Sequence, residues 1–376
     1  MAQRLINFVN HRWAFSVFFF LLVTALSLHK YFTDTPNNFL IMRFSFFNLL
    51  ANVDLYAAHP AQHFDHFKYS PTFALFYAPM SILPWAMGAV VWNLVNSMFF
   101  LHALYLMRLE AKKRAIIIAI CLVELVTSLQ NFQSNGLVLA LFLYSFVALE
   151  RGANQWGALA TIGNTFVKVF GIVGAAIFWL YDQKIKSILY AIGWALLLFL
   201  LPMLITGPEQ LIRQYKSWGQ LLAGDTVAYG ISVMGILHVW LGLQFKVIIV
   251  QLAGALALLS VLLYRDRYQD YMFRLRFLGL VLLWVVLFNH KAESPTFIIA
   301  MMGVAIWYLT AERNIIDHVL LGFCILFTSL SPTDVFPPYI RNEFVKPYHL
   351  KALPCIFIFL RLLITMHMQK PAAEPG

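Results

Sequence analysis

The groups able to do chemistry in this chain sit in a few polar stretches between long apolar runs. The first stretch brings Asp54, His59, His63, Asp65 and His66, three imidazoles and two carboxylates, within thirteen residues. Such a set suits metal ligation or proton transfer. His63, Asp65 and His66 lack a recognised ligand spacing, however, and histidines flanked by aromatics are common where a protein meets a lipid surface. Glu124 lies inside an apolar run, about one and a half helical turns before Gln130. An ionisable group in such a place is a functional candidate. It faces a polar cavity, or it is a protonated acid hydrogen-bonded between helices. Lys168 also interrupts an apolar run. Either a phosphate at a helix break neutralises it, or its stem carries the ammonium to the interface. His290, Lys291 and Glu293 directly follow Trp284-Val-Val-Leu-Phe288. A histidine and a lysine at a membrane surface suit a lipid phosphate, and a solvated turn is the plain alternative. The proline-rich stretch 331–339, with Asp334, is a weaker candidate for a cavity rim.

Composition sets the elements that must position these groups. Hydrophobic residues make up 61% of the chain and charged residues 12%, against about 25% charged in soluble domains. Such a composition cannot cover a water-facing surface. It predicts an all-α, polytopic transmembrane bundle, one membrane domain over residues 1–376. Candidate spans are 13–29, 86–107, 115–130, 136–150, 187–206, 245–264, 274–289, 297–310, 315–330 and 353–366. Residues 156–181 break near Lys168–Gly171 into two short helices, and 71–83, with Pro79 inside, reads as a re-entrant or short helix. The most basic short loops, 108–114, 182–186 and 265–276, go to the cytoplasm with Arg4 and Arg12. This positive-inside assignment gives about twelve spans with both termini inside.

The opposite face then receives the long loop 30–70, the turn 130–135, the Lys168 break, the second long loop 207–244, and the stretches 289–295 and 331–339. Within the first loop, 37–50 carries apolar residues at helical spacing around Arg43 and Asn48, as an interfacial helix would. Function is therefore expected on the extracytoplasmic face.

The formal charge of +10 comes from scattered cations with no continuous basic stripe. That argues for anionic lipid and topogenesis, and against nucleic acid as a partner. Cys121, Cys324 and Cys355 lie far apart in apolar segments and read as small buried hydrophobes. No small-residue cleavage pattern follows Leu28, so the first span is expected to be uncleaved.

The order of several short elements is similar to that of a known family. Asn38-Phe, Leu49-Leu50, Asp54-Leu-Tyr56, Lys68-Tyr-Ser-Pro-Thr-Phe-Ala-Leu-Phe-Tyr-Ala-Pro79, Leu83-Pro84 and Trp92-Asn-Leu-Val-Asn96 together resemble glycosyltransferase family 87, in a Bacteroidetes-type branch. Gln130-Asn-Phe-Gln-Ser-Asn-Gly136 looks like its glutamine–asparagine turn, Phe166-Val-Lys168 like its helix-ending lysine, and 290–295 like its late polar loop.

The resemblance implies a GT-C fold in a bacterial cytoplasmic (inner) membrane. It also implies a polyprenyl-phosphate-linked hexose donor, mannose-like, and a glycolipid or glycan acceptor of the envelope, with inversion and without a cofactor or metal. On that footing Lys68, Lys168, His290 and Lys291 would hold the lipid phosphate. Asn38, Gln130, Asn131, Gln133, Asn135 and Glu293 would bind sugar or acceptor.

One position departs from the family. Its first-loop aspartate, sixteen residues before Asp-Leu-Tyr, is Asn38 here. An amide cannot take a proton at neutral pH. The base role then passes to Asp54, with Asp65 next and Glu293 a further option, or the chain binds polyprenyl lipid without catalysis. A transporter or flippase of a lipid-linked or small solute is the rival class. Such folds show internal repeats, and this chain has none.

Overall fold

The computed structural model describes residues 2–34, 36–224 and 229–368. Every regular element among the described residues is helical. Among the described residues, three helices are long and apolar enough to cross a membrane: Arg12–Thr33, Trp85–Leu106 and Lys184–Thr206. The last has only 11% of its most apolar stretch buried inside the protein. Ile185, Leu189, Leu196 and Leu204 all lie outward, a surface suited to hydrocarbon. The other apolar helices are shorter, among them Asn135–Glu150, Val247–Leu263, Ile315–Leu330 and Leu353–Met368.

The chain forms two compact units. The first comprises Met1–Ala111, Ser128–Ile172 and Ile185–Thr226. Its centre is helix Trp85–Leu106, which buries Trp92, Asn93, Asn96 and Ser97. Away from water, these polar groups must find partners in the protein. Asn93 donates to Ser27 Oγ of helix Arg12–Thr33 and to the Leu129 carbonyl, both at 3.0 Å. The first long loop contains helix Asn37–Leu50, whose Arg43 is buried and donates to the Leu83 carbonyl at 2.9 Å. The 71–83 stretch folds as two short helices, Pro71–Phe76 and Ala78–Ile82. Ser70 caps the first by accepting the Phe73 N–H, with proline at the start, where no N–H is needed.

The predicted break at Lys168 is present. Helix Asn154–Val167 stops there, Lys168 is extended, and a 3₁₀ segment, Val169–Leu180, follows. The second long loop is mostly helical, with Pro208–Gly224 in the first unit and Val233–Leu241 in the second.

The second unit comprises Lys112–Thr127, Val173–Lys184 and Val227–Gly376. Helices Tyr271–Leu287 and Phe297–Thr310 form its core and are buried almost all round. Helix Ile315–Cys324 continues as a π-helix over Ile325–Leu330. That change of winding turns Thr328 toward the Lys351 carbonyl, to which it donates at 2.8 Å.

Candidate active site

In the first unit, three motifs distant in sequence converge. The glutamine–asparagine turn is made by Phe132 at φ +50, with the Phe132 and Gln133 N–H groups donating back to the carbonyls of Leu129 and Ser128. This left-handed ending of helix Ala111–Gln130 aims the next side chains inward. Gln133, Ser134 and Asn135 are accordingly buried. Asn135 donates to Gln133 Oε1 at 2.7 Å, and Lys168 Nζ donates to Asn135 Oδ1 at 2.8 Å.

The Lys168 ammonium is thus oriented by an amide oxygen. Its backbone is fixed by Gly171, which returns the chain against the end of the preceding helix. A Cβ there would lie 2.5 Å from the Asn164 carbonyl carbon, so only glycine fits.

The Lys68–Ser70 segment joins the same network. Ser70 Oγ donates to the Phe166 carbonyl at 2.6 Å, two residues before Lys168. Ser134 Oγ donates to Tyr69 Oη at 3.3 Å. Tyr69 stacks on Phe73 with ring centroids 4.5 Å apart, and Phe73 meets Trp92 edge-on at 5.9 Å. An aromatic floor therefore underlies the polar groups. Lys68 itself is exposed, and its carbonyl accepts the Trp218 indole N–H at 3.2 Å.

Helix Pro208–Gly224 braces the first loop from the other side. Gln210 donates to the Asn52 carbonyl at 2.8 Å, Gln214 to the Val53 carbonyl at 2.7 Å, and Gln214 accepts the Leu55 N–H at 3.1 Å. Ser217 then donates to Asp54 Oδ2 at 2.8 Å, while Asp54 Oδ1 accepts the Tyr56 N–H at 3.0 Å. The exposed Asp54 carboxylate is therefore held at both oxygens. Tyr56 Oη donates to the Tyr69 carbonyl at 2.9 Å, linking this loop to the network. Burial, reinforced by Tyr215 and Asp54, pushes the Tyr56 phenol well up, so it remains a donor.

The remaining first-unit candidates are dispersed. Asn38 donates to the Asn131 carbonyl at 2.9 Å and so ties the first loop to the turn. Gln130 and Asn131 are exposed at the helix end, and Asp65 is exposed in the loop. The three loop histidines part company. His59 Nε2 pairs with the Asp54 carbonyl at 2.8 Å and His66 Nδ1 with the Tyr56 carbonyl at 3.0 Å. His63 is buried, and burial lowers its pKa.

His290, Lys291 and Glu293 belong to the second unit. Asn289 Oδ1 accepts the Lys291 N–H at 2.9 Å, and Glu293 stands exposed at the loop tip. Glu124 follows neither course expected of it. It is fully buried and pairs with Lys351, at 2.7 and 2.8 Å to its two oxygens. Lys351, Gln214, Ser217 and Tyr69 were not singled out from sequence as working residues. Gln210, Gln214 and Ser217 lie at helical spacing on one face of an otherwise loop-like stretch, a signal that was there to read. Lys351 carried none, since its partner is 227 residues away.

The family model for glycosyltransferase family 87 matches residues 67–289, more than half of the chain, and takes in the Lys68–Ser70 segment, the 130–135 turn and Lys168. The chain belongs to glycosyltransferase family 87 and is a membrane glycosyltransferase. No curated protein matches it.

Proposed function

We propose that the protein moves a hexose, mannose-like, from a polyprenyl-phosphate-linked donor to an envelope acceptor on the extracytoplasmic side of a bacterial inner membrane. It would do so as one membrane domain of about twelve spans with both termini cytoplasmic. The observation that carries this reading is the network joining Lys168 to the Gln133–Asn135 amides and the Lys68–Ser70 segment. A half-buried ammonium held by an amide, near stacked aromatic rings, suits a lipid phosphate with a sugar beside it.

The acceptor oxygen attacks the anomeric carbon from the side opposite the phosphate. The carbon–oxygen bond to phosphate breaks, and the phosphate leaves with the electron pair. Positive charge from Lys168 and Lys68 stabilises it as its charge grows. A carboxylate takes the acceptor's proton, and Asp54 is the first choice because Ser217 and the Tyr56 N–H fix its orientation. Asp65 is the second choice. Asn38, Gln130, Asn131, Gln133 and Asn135 supply hydrogen bonds to sugar or acceptor hydroxyls. His290 and Lys291 offer a further cationic loop for an anionic headgroup, with Glu293 beside them.

A second reading is favoured by Asn38. Its amide is built into the turn through the Asn131 carbonyl, where the family carries an acid. A homologue that binds polyprenyl lipid without transferring sugar would look like this.

Purified protein in detergent, given a polyprenyl-phosphate hexose, should release polyprenyl phosphate. Lys168→Ala should lower turnover at least about tenfold, as the loss of a charge-stabilising group does. Undiminished turnover in that variant would remove the phosphate site. Mass spectrometry of co-purifying lipid separates the readings: polyprenyl phosphate bound without sugar release supports the second. Solute flux in proteoliposomes would instead identify a transporter.

A further inference from the structure

The loop from Asn289 to Thr296 is held at several places, and three of them bear on its geometry within the second unit. Asn289 closes a tight turn, its side-chain oxygen accepting the Lys291 N–H and its carbonyl the Ala292 N–H at 3.0 Å. The Ala292 carbonyl accepts the Ile231 N–H at 2.8 Å. Gly230 allows this approach, since its φ is +45° and a Cβ would lie 2.7 Å from the His290 carbonyl oxygen. The third hold is ionic. Lys351 Nζ donates to both oxygens of Glu124 and, at 2.8 Å, to Ser294 Oγ. Its three protons are thereby all used.

Glu124 is 0% and Lys351 2% exposed. The lysine is fixed from behind as well, for Thr328 Oγ1 donates to its carbonyl. His349, two residues earlier, takes φ +51° to turn the chain inward. A non-glycine residue held in that region stores strain that surrounding contacts must offset.

A buried ion pair is a poor source of stability. Replacing one with apolar side chains of similar volume is often neutral or stabilising. What an apolar pair cannot do is fix the Ser294 hydroxyl. We infer that Glu124 and Lys351 are positioning residues. They lock Ser294, and with it hold the His290–Glu293 backbone in one geometry toward its anionic ligand. The inference rests on the reading above, in which His290 and Lys291 offer a cationic loop to an anionic lipid headgroup. Neither Glu124 nor Lys351 touches substrate.

Two variants of the full-length protein in detergent test this. Ser294→Ala keeps the ion pair and cuts only its link to the loop. Glu124→Leu/Lys351→Met removes both charges together and avoids stranding one. In each, melting should stay within a few degrees of the parent. Amide hydrogen exchange across 290–296 should accelerate about tenfold, the lower end of what losing a hydrogen bond to a charged group costs. The KM for polyprenyl-phosphate hexose should rise at least about fivefold, a shift of the same order, while kcat changes less than twofold.

Parental exchange in Ser294→Ala overturns the lock, even if the double variant does not fold. Faster exchange with an unchanged KM overturns the positioning role. If the parent protein transfers no sugar, the donor reading falls by itself. KM is then replaced by the Kd for polyprenyl phosphate, and an unchanged Kd alongside faster exchange overturns the role.

Discussion

Lys168 in the first unit and Lys351 in the second are both lysines drawn away from water, yet they are held in opposite ways. Lys168 is half-buried and donates to the amide oxygen of Asn135. Lys351 is buried entirely and donates to both oxygens of Glu124. An amide oxygen orients an ammonium, whereas a carboxylate that takes two of its protons also offsets its charge. The comparison teaches that a lysine drawn away from water does not by itself mark a binding site; the partners it meets decide between binding and bracing.

The largest effect that could break this comparison is on Lys351. Lys351→Ala strands the Glu124 carboxylate and should cost about 3–5 kcal/mol, read as lost yield and melting temperature in detergent. A Lys351→Ala protein with parental melting and parental amide exchange across 290–296 would mean that the pair braces nothing. Lys168→Ala should do the reverse, with melting near parental and turnover down about tenfold or more. Unfolding of that variant with no specific loss of turnover would put Lys168 in the bracing class too.

Gly171→Ala sharpens the contrast by displacing Lys168 without removing it. The added methyl meets Asn164 and Thr165 backbone atoms at 2.5–2.7 Å and should destabilise by about 1–3 kcal/mol, with turnover falling too. Gln214→Leu should cost about 1–2 kcal/mol, because it leaves the Val53 and Leu55 backbone groups without their partner. Limited proteolysis of loop 51–66 should then speed up. An unchanged cleavage rate would show that helix Pro208–Gly224 does not brace that loop.

The smallest effect concerns pH. Burial depresses the His63 pKa, so the unfolded chain binds a proton more readily than the folded one. The stability owed to neutral His63 is complete above the unfolded value, about 6.5. It is lost as pH falls from there toward the folded pKa. His63→Phe should flatten melting temperature against pH between about 5 and 7; an unaltered slope would show that His63 is not the group responsible.

Much of the helical layout was legible in the chain because long apolar runs have only one way to satisfy their backbone in lipid. The helix-ending lysine, a short helix within 71–83 and the polar turn at Gln130 were readable too, since proline, glycine and charge interrupt such runs locally. That 71–83 forms two helices, Pro71–Phe76 and Ala78–Ile82, was not. Glu124 was visible as an anomaly but not as half of a pair. Asp54 was visible as an acid, but its bracing by Ser217 was not, because the contact crosses 163 residues.

Composition by itself determined that this chain is a helical membrane protein, because solvation by lipid and local backbone chemistry act within a few residues. The order of its short motifs carried the resemblance to family 87 that the family model bears out. Only the tertiary structure decided which polar groups share charge. Coulomb attraction and hydrogen bonding depend on distance in space, and the folded chain brings Lys351 to Glu124 and Lys168 to Asn135 across separations that no local pattern records.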